Sequence, residues 1–105
     1  MTIYALSSGA GISGVAVIRI SGEKTKDIIR QITGRELPKP RIASLNKIRE
    51  IKTKELIDEG IIIWFPGPDS YTGEDMAELH VHGSSAVIKS ILDNISCLLY
   101  TSDAA

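Results

Sequence analysis

One cysteine, Cys97, is all that the 105 residues contain. Neither a disulfide framework nor a cysteine-based zinc site can be assembled from it, and the chain reads as one made for a reducing compartment. Aromatic residues are sparse at 5%. The longest wholly apolar run, Ile61 to Phe65, is far too short to span a bilayer. The N-terminus lacks a basic segment ahead of an apolar one, so no secretory signal is read there and the expected location is cytoplasmic. Lys and Arg are not in excess: 12 of them face 13 Asp and Glu, for a net charge of -1. The overall charge therefore gives no electrostatic footprint of a nucleic-acid binder. A phosphate-cradling G-x-x-x-x-G-K-[ST] sequence is also missing, which excludes GTP binding through a P-loop in this segment.

What is present matches a soluble α+β domain. A length of 105 residues suits a single domain. Ile3–Leu6, Val15–Ile20, Arg41–Ile51, Ile57–Phe65 and Asp75–His82 read as strands from their apolar or alternating patterns. Ser21 reads as the N-cap of a helix whose inner face is Ile28, Ile29 and Ile32, ended by Gly34. Ser84 or Ser85 caps a second helix carrying Val87, Ile88, Ile91, Leu92 and Ile95. The order strand, strand, helix, strand, strand, strand, helix predicts helices on one face of a mostly antiparallel sheet. Domain order is expected over residues 1–96, with 97–105 a non-native or disordered tail on a truncated fragment.

Charge is unevenly placed. Arg35, Lys39, Arg41, Lys47, Arg49, Lys52 and Lys54 crowd the middle, whereas Glu55 to Ile88 contains no Lys or Arg. This pattern describes solvated loops and edges, or a basic surface able to meet RNA or a partner. Gly9-Ala10-Gly11-Ile12-Ser13-Gly14 matches G-x-G-x-x-G, but strand formers follow it where a dinucleotide site needs a helix. It reads instead as a tight loop between strands.

Two charges sit inside apolar strands. Period-2 alternation puts Arg19 on one face with Val15 and Val17, and Glu78 on one face with Met76, His80 and His82. A lone guanidinium in such a place needs a carboxylate or another anion. It is either half of a structural ion pair or the holder of an anionic ligand. Glu78 could pair with Arg19, or accept two N–H bonds from a planar ring edge. The spacing Glu78-x-His80-x-His82 also permits a metal reading, although no distinctive ligand signature supports one.

Several segments, in order, resemble one family. Val15-Ala16-Val17-Ile18-Arg19-Ile20-Ser21-Gly22 resembles a strand of the MnmE (TrmE) tRNA modification GTPases. Leu37-Pro38-Lys39-Pro40-Arg41 is similar to their connector, Pro68-Asp69-Ser70-Tyr71-Thr72-Gly73-Glu74-Asp75 to their "PxSYTGED" segment, and Glu78-Leu79 with His82-Gly83 to the ending that follows. Ser84 stands where members have a second glycine, and Gly9 and Ala10 where many have prolines. The resemblance implies an aminomethyltransferase-like folate-binding and homodimerisation domain. The parent would be a GTP-hydrolysing enzyme that works with the flavoprotein MnmG on the wobble uridine of tRNA. It implies 5-formyl- or 5,10-methylene-tetrahydrofolate as the ligand, held by Arg19 and Glu78, with Tyr71 and His82 as further contacts. A later family lysine would complete that site. GTP, Mg and K would belong to a GTPase domain outside this sequence, and this segment would not itself be catalytic. The readings that compete with it are a dimerisation module without a ligand and a metal-dependent enzyme fragment using Glu78, His80 and His82.

Overall fold

A computed structural model describes residues 1–8 and 14–101. The elements are β1 (Ile3–Ser8), β2 (Val15–Ser21), α1 (Thr25–Thr33), β3 (Ser44–Arg49), β4 (Leu56–Phe65), β5 (Met76–His82) and α2 (Ser85–Thr101). The expected element order and the α+β class are both found. The glycine-rich loop at residues 9–13 lies outside the described residues, but a strand follows it.

The five strands form one sheet in the order β1-β2-β5-β4-β3. All four ladders are antiparallel. Two hairpins, β1–β2 and β3–β4, are thus joined through β5, the last strand in the chain. Register fixes which side chains share a face, because a slip of one residue would invert every strand. Ile18 lies opposite Leu79 and Ile20 opposite Ala77, while Ile62 pairs with Leu79 and Trp64 with Ala77 across the other edge of β5.

Both helices cover that face. Ile28, Ile29 and Ile32 from α1, and Ile91, Ile95 and Leu99 from α2, join Ile18, Ile20, Ile62, Trp64, Ala77, Leu79 and Val81 in one core. Each large aliphatic side chain buried there stabilises the fold by about 1.5–3 kcal/mol relative to exposure. Gly34 ends α1 at φ 68, and its N–H donates to the Arg30 carbonyl at 2.8 Å. That is the left-handed helix stop for which glycine is suited.

Two local expectations are corrected. Ser21 does not cap α1: it is the last residue of β2, and its hydroxyl shares a 2.8 Å hydrogen bond with Thr72. Gly22, at φ 136 and against the backbone of Thr2, turns the chain first, and the helix starts at Thr25. The helical order expected to stop at Ser96 continues to Thr101. Leu99 completes an i, i+4, i+8 series with Ile91 and Ile95 and is only 8% exposed. Ser84 does cap α2, its hydroxyl accepting from the Val87 N–H at 3.1 Å. Among the described residues no helix is long and apolar enough to cross a membrane.

Candidate functional site on the helix-free face

Among the described residues, no helix lies on the opposite face of the sheet. Arg19 is directly across from Glu78 in the β2–β5 ladder, so both side chains leave the sheet on the same side. Nε and Nη2 of Arg19 both donate to Oε2 of Glu78, at 3.2 and 2.7 Å. The carboxylate's other oxygen, Oε1, is 3.1 Å from Nε2 of His80. An ionised carboxylate only accepts, so Nε2 carries the proton. Ile63, the β4 partner of Glu78, and Ile61, the partner of His80, give the cluster one apolar wall. Val17, opposite His80 on β2, gives the other.

The cluster is covered in part, not entombed. The Arg19 side chain is 38% exposed and that of Glu78 16%. Partial desolvation is the largest single influence on the Glu78 carboxyl and pushes it upward. Hydrogen bonds from Arg19 and His80, with their charges, together outweigh it and leave the group below its ordinary value.

The segment between β4 and β5 adds an aromatic ring. Its many turn residues let it fold back on itself: the Gly67 N–H donates to Oδ1 of Asp75 at 3.0 Å, the Ser70 hydroxyl donates to the Glu74 carbonyl, and the Gly73 N–H donates to the Ser70 carbonyl at 3.2 Å. The Ser21–Thr72 bond ties the loop to the end of β2. Tyr71 is thereby set with its ring centroid 5.6 Å from the Arg19 guanidinium, while remaining 87% exposed. A cation over a ring at this separation gains roughly 0.5–1 kcal/mol at an exposed site.

His82 is elsewhere in the ladder and has its own partner. Its Nδ1 lies 2.7 Å from Oδ1 of Asp58, and its backbone N–H donates to Oδ2 at 2.9 Å. Of the four residues expected at the site, Arg19, Glu78 and Tyr71 therefore meet, and His82 is engaged by a strand-end aspartate. Alternation put His80 on the same face as Glu78, lining a polar surface or a pocket wall or serving as a metal ligand, but gave no sign of the hydrogen bond between the two. Asp58 was unflagged because its contact depends on how β4 lies against β5. Among the described residues no group of three His, Cys, Asp or Glu could hold a metal ion. A cavity of about 840 Å³, lined by Met1, Thr2, Ile3, Tyr4, Glu23, Lys24, Leu99 and Tyr100, contains none of these residues.

An ion pair beside a tyrosine, on the other side of a five-stranded antiparallel sheet from the helices, defines a small α+β domain with a polar patch. The family described as GTP-binding protein TrmE N-terminus matches residues 2–103. The chain belongs to that family. It is 62% identical over 96 residues to a tRNA modification GTPase MnmE of Pelagibacter ubique, an alignment covering 91% of this chain and 22% of that protein. A tRNA modification GTPase MnmE of Agrobacterium fabrum is 56% identical over 100 residues, covering 92% and 22%. The mitochondrial 5-taurinomethyluridine tRNA synthase subunit GTPB3 of Danio rerio is 53% identical over 97 residues, covering 92% and 19%. The chain thus spans about a fifth of the length of these relatives.

Proposed function

We propose that this chain is the tetrahydrofolate-binding and homodimerising N-terminal part of a tRNA modification GTPase. The parent acts with an MnmG-type flavoprotein on the wobble uridine of tRNA in the cytoplasm. Family membership and the names of the relatives support the parent's class. The observation that carries the ligand reading is the Arg19–Glu78–His80 cluster beneath Tyr71. A reduced folate presents a planar ring edge rich in N–H groups and an anionic tail. The cluster offers carboxylate lone pairs, guanidinium hydrogens left over from the Glu78 contact, an aromatic face and aliphatic walls. These residues fit such a ligand, which would supply a one-carbon unit when bound. Dimerisation is supported by Ile3, Val15 and Leu45, which are 61%, 56% and 60% exposed on the helix-free side of the sheet.

Titrating 5-formyltetrahydrofolate into the full-length protein, with calorimetric detection, tests the reading. Saturable binding that falls at least about tenfold in Glu78→Ala is expected, as for the loss of a charged hydrogen-bond partner. Unchanged affinity would remove Glu78 from the site.

The direct Arg19–Glu78 bond favours one other reading, a dimerisation module in which the pair is purely structural. That reading expects a dimer by light scattering with no folate affinity.

A further inference from the structure

The Glu78 carboxylate is not a free acceptor waiting for a ligand. Arg19 holds Oε2 through two nitrogens and His80 holds Oε1. We propose that His80 is a positioning residue of this site, one that fixes the Glu78 carboxylate plane from the side opposite Arg19 and thereby sets how a ring edge is received. The proposal rests on the folate-binding reading above and assigns a new residue to it.

The geometry supports the assignment at three points. A glutamate has three side-chain torsions, and one donor on one oxygen leaves the plane free to swing about that contact. A second donor on the other oxygen removes that freedom, and recognition of a planar edge depends on the acceptor's orientation. His80 is itself held: its β5 position is flanked by Val17 and Ile61 across the two ladders, and its side chain is 31% exposed. Finally, with a proton on Nε2, His80 donates to Oε1, so donors hold both carboxylate oxygens. The remaining Glu78 lone pairs and spare Arg19 hydrogens give the mixed acceptor and donor pattern that the edge of an amino-oxo-pyrimidine ring can meet.

The other charged groups nearby are accounted for. Arg19 on β2 binds Glu78, and His82, two residues along β5, binds Asp58 of β4. Neither His82 nor Asp58 competes for Oε1.

The test compares full-length wild type with His80→Gln and His80→Phe. Glutamine can place an N–H near Oε1, whereas phenylalanine fills the space without a donor. Calorimetric titration with 5-formyltetrahydrofolate is expected to show binding within about threefold of wild type for His80→Gln and at least about tenfold weaker for His80→Phe. A carbon-13 carboxyl titration of the ligand-free proteins is expected to place the Glu78 midpoint higher in His80→Phe and to bring it part of the way back in His80→Gln, which returns the hydrogen bond but not the charge. Wild-type affinity in His80→Phe overturns the positioning role. If wild type binds no folate, the folate reading fails by itself. The carboxyl titration then decides the His80 contact alone, and an unmoved Glu78 midpoint in His80→Phe sinks it.

Discussion

The two faces of one sheet are built on opposite terms. Beneath the helices, Ile18, Ile20, Ile62 and Leu79 are fully buried in one apolar cluster. On the other side, strand positions one residue away carry Arg19, Glu78 and His80, half-covered and joined by hydrogen bonds. The same four ladders hold both. The covered face supplies the stability, and the backbone it fixes aims a polar cluster that would have little reason to assemble alone.

Substitutions separate the two roles. Leu79→Ala empties a site at the centre of the covered face and should cost about 2–5 kcal/mol in urea unfolding. Gly60→Ala should cost about 1–3 kcal/mol, because its Cβ would meet the His80 carbonyl on β5 and the two backbones would have to part. Ligand affinity should fall with it, since that shift moves His80. Glu78→Gln should cost only about 1 kcal/mol, since Arg19 stays 38% exposed and solvent can take over its charge. A loss as large as that of Leu79→Ala would erase the distinction between the faces.

Acid offers a gentler probe. The Glu78 carboxyl lies below its ordinary value of 4.5 in the folded protein. Its ionised form therefore adds stability in full above that value, and the contribution is lost as pH falls through the lowered one. The gap in unfolding free energy between wild type and Glu78→Gln should hold from neutral pH down to about 4.5 and then narrow. Tyr71→Ala should leave stability within about 0.5 kcal/mol, as for an exposed side chain. It should nonetheless weaken binding of 5-formyltetrahydrofolate, measured by the same titration.

Much of this could be read before any coordinates. Alternation put Arg19 with Val15 and Val17, and Glu78 with His80, on the correct sides of their strands. The isoleucines of α1 announced its buried stripe, and Gly34 its end. What alternation cannot supply is pairing between strands. Nothing in either segment says that Arg19 lies opposite Glu78, because that follows from β5 inserting beside β2. Ser21 misled because a serine before a polar stretch satisfies the capping rule, while its actual partner, Thr72, is 51 residues away. Tyr71 entered through family resemblance alone. No local rule places a loop tyrosine over a distant arginine, and the hydrogen bonds that bend the loop back are made by its neighbours. The continuation of α2 past Ser96 was not read from the sequence, because Cys97, Leu98 and Tyr100 blurred the period that Leu99 shares with Ile91 and Ile95.

Strand order has a consequence for how the molecule comes into being. The central strand is the last one synthesised, so the β1–β2 and β3–β4 hairpins must each wait, edge open, for a third party emerging more than ten residues after both are complete. Only its arrival converts two separate ribbons into one surface. Arginine and glutamate, 59 positions apart in the chain, first touch at that moment. A nascent polypeptide therefore presents no Arg19–Glu78 cluster until β5 has emerged and found its place between the two hairpins.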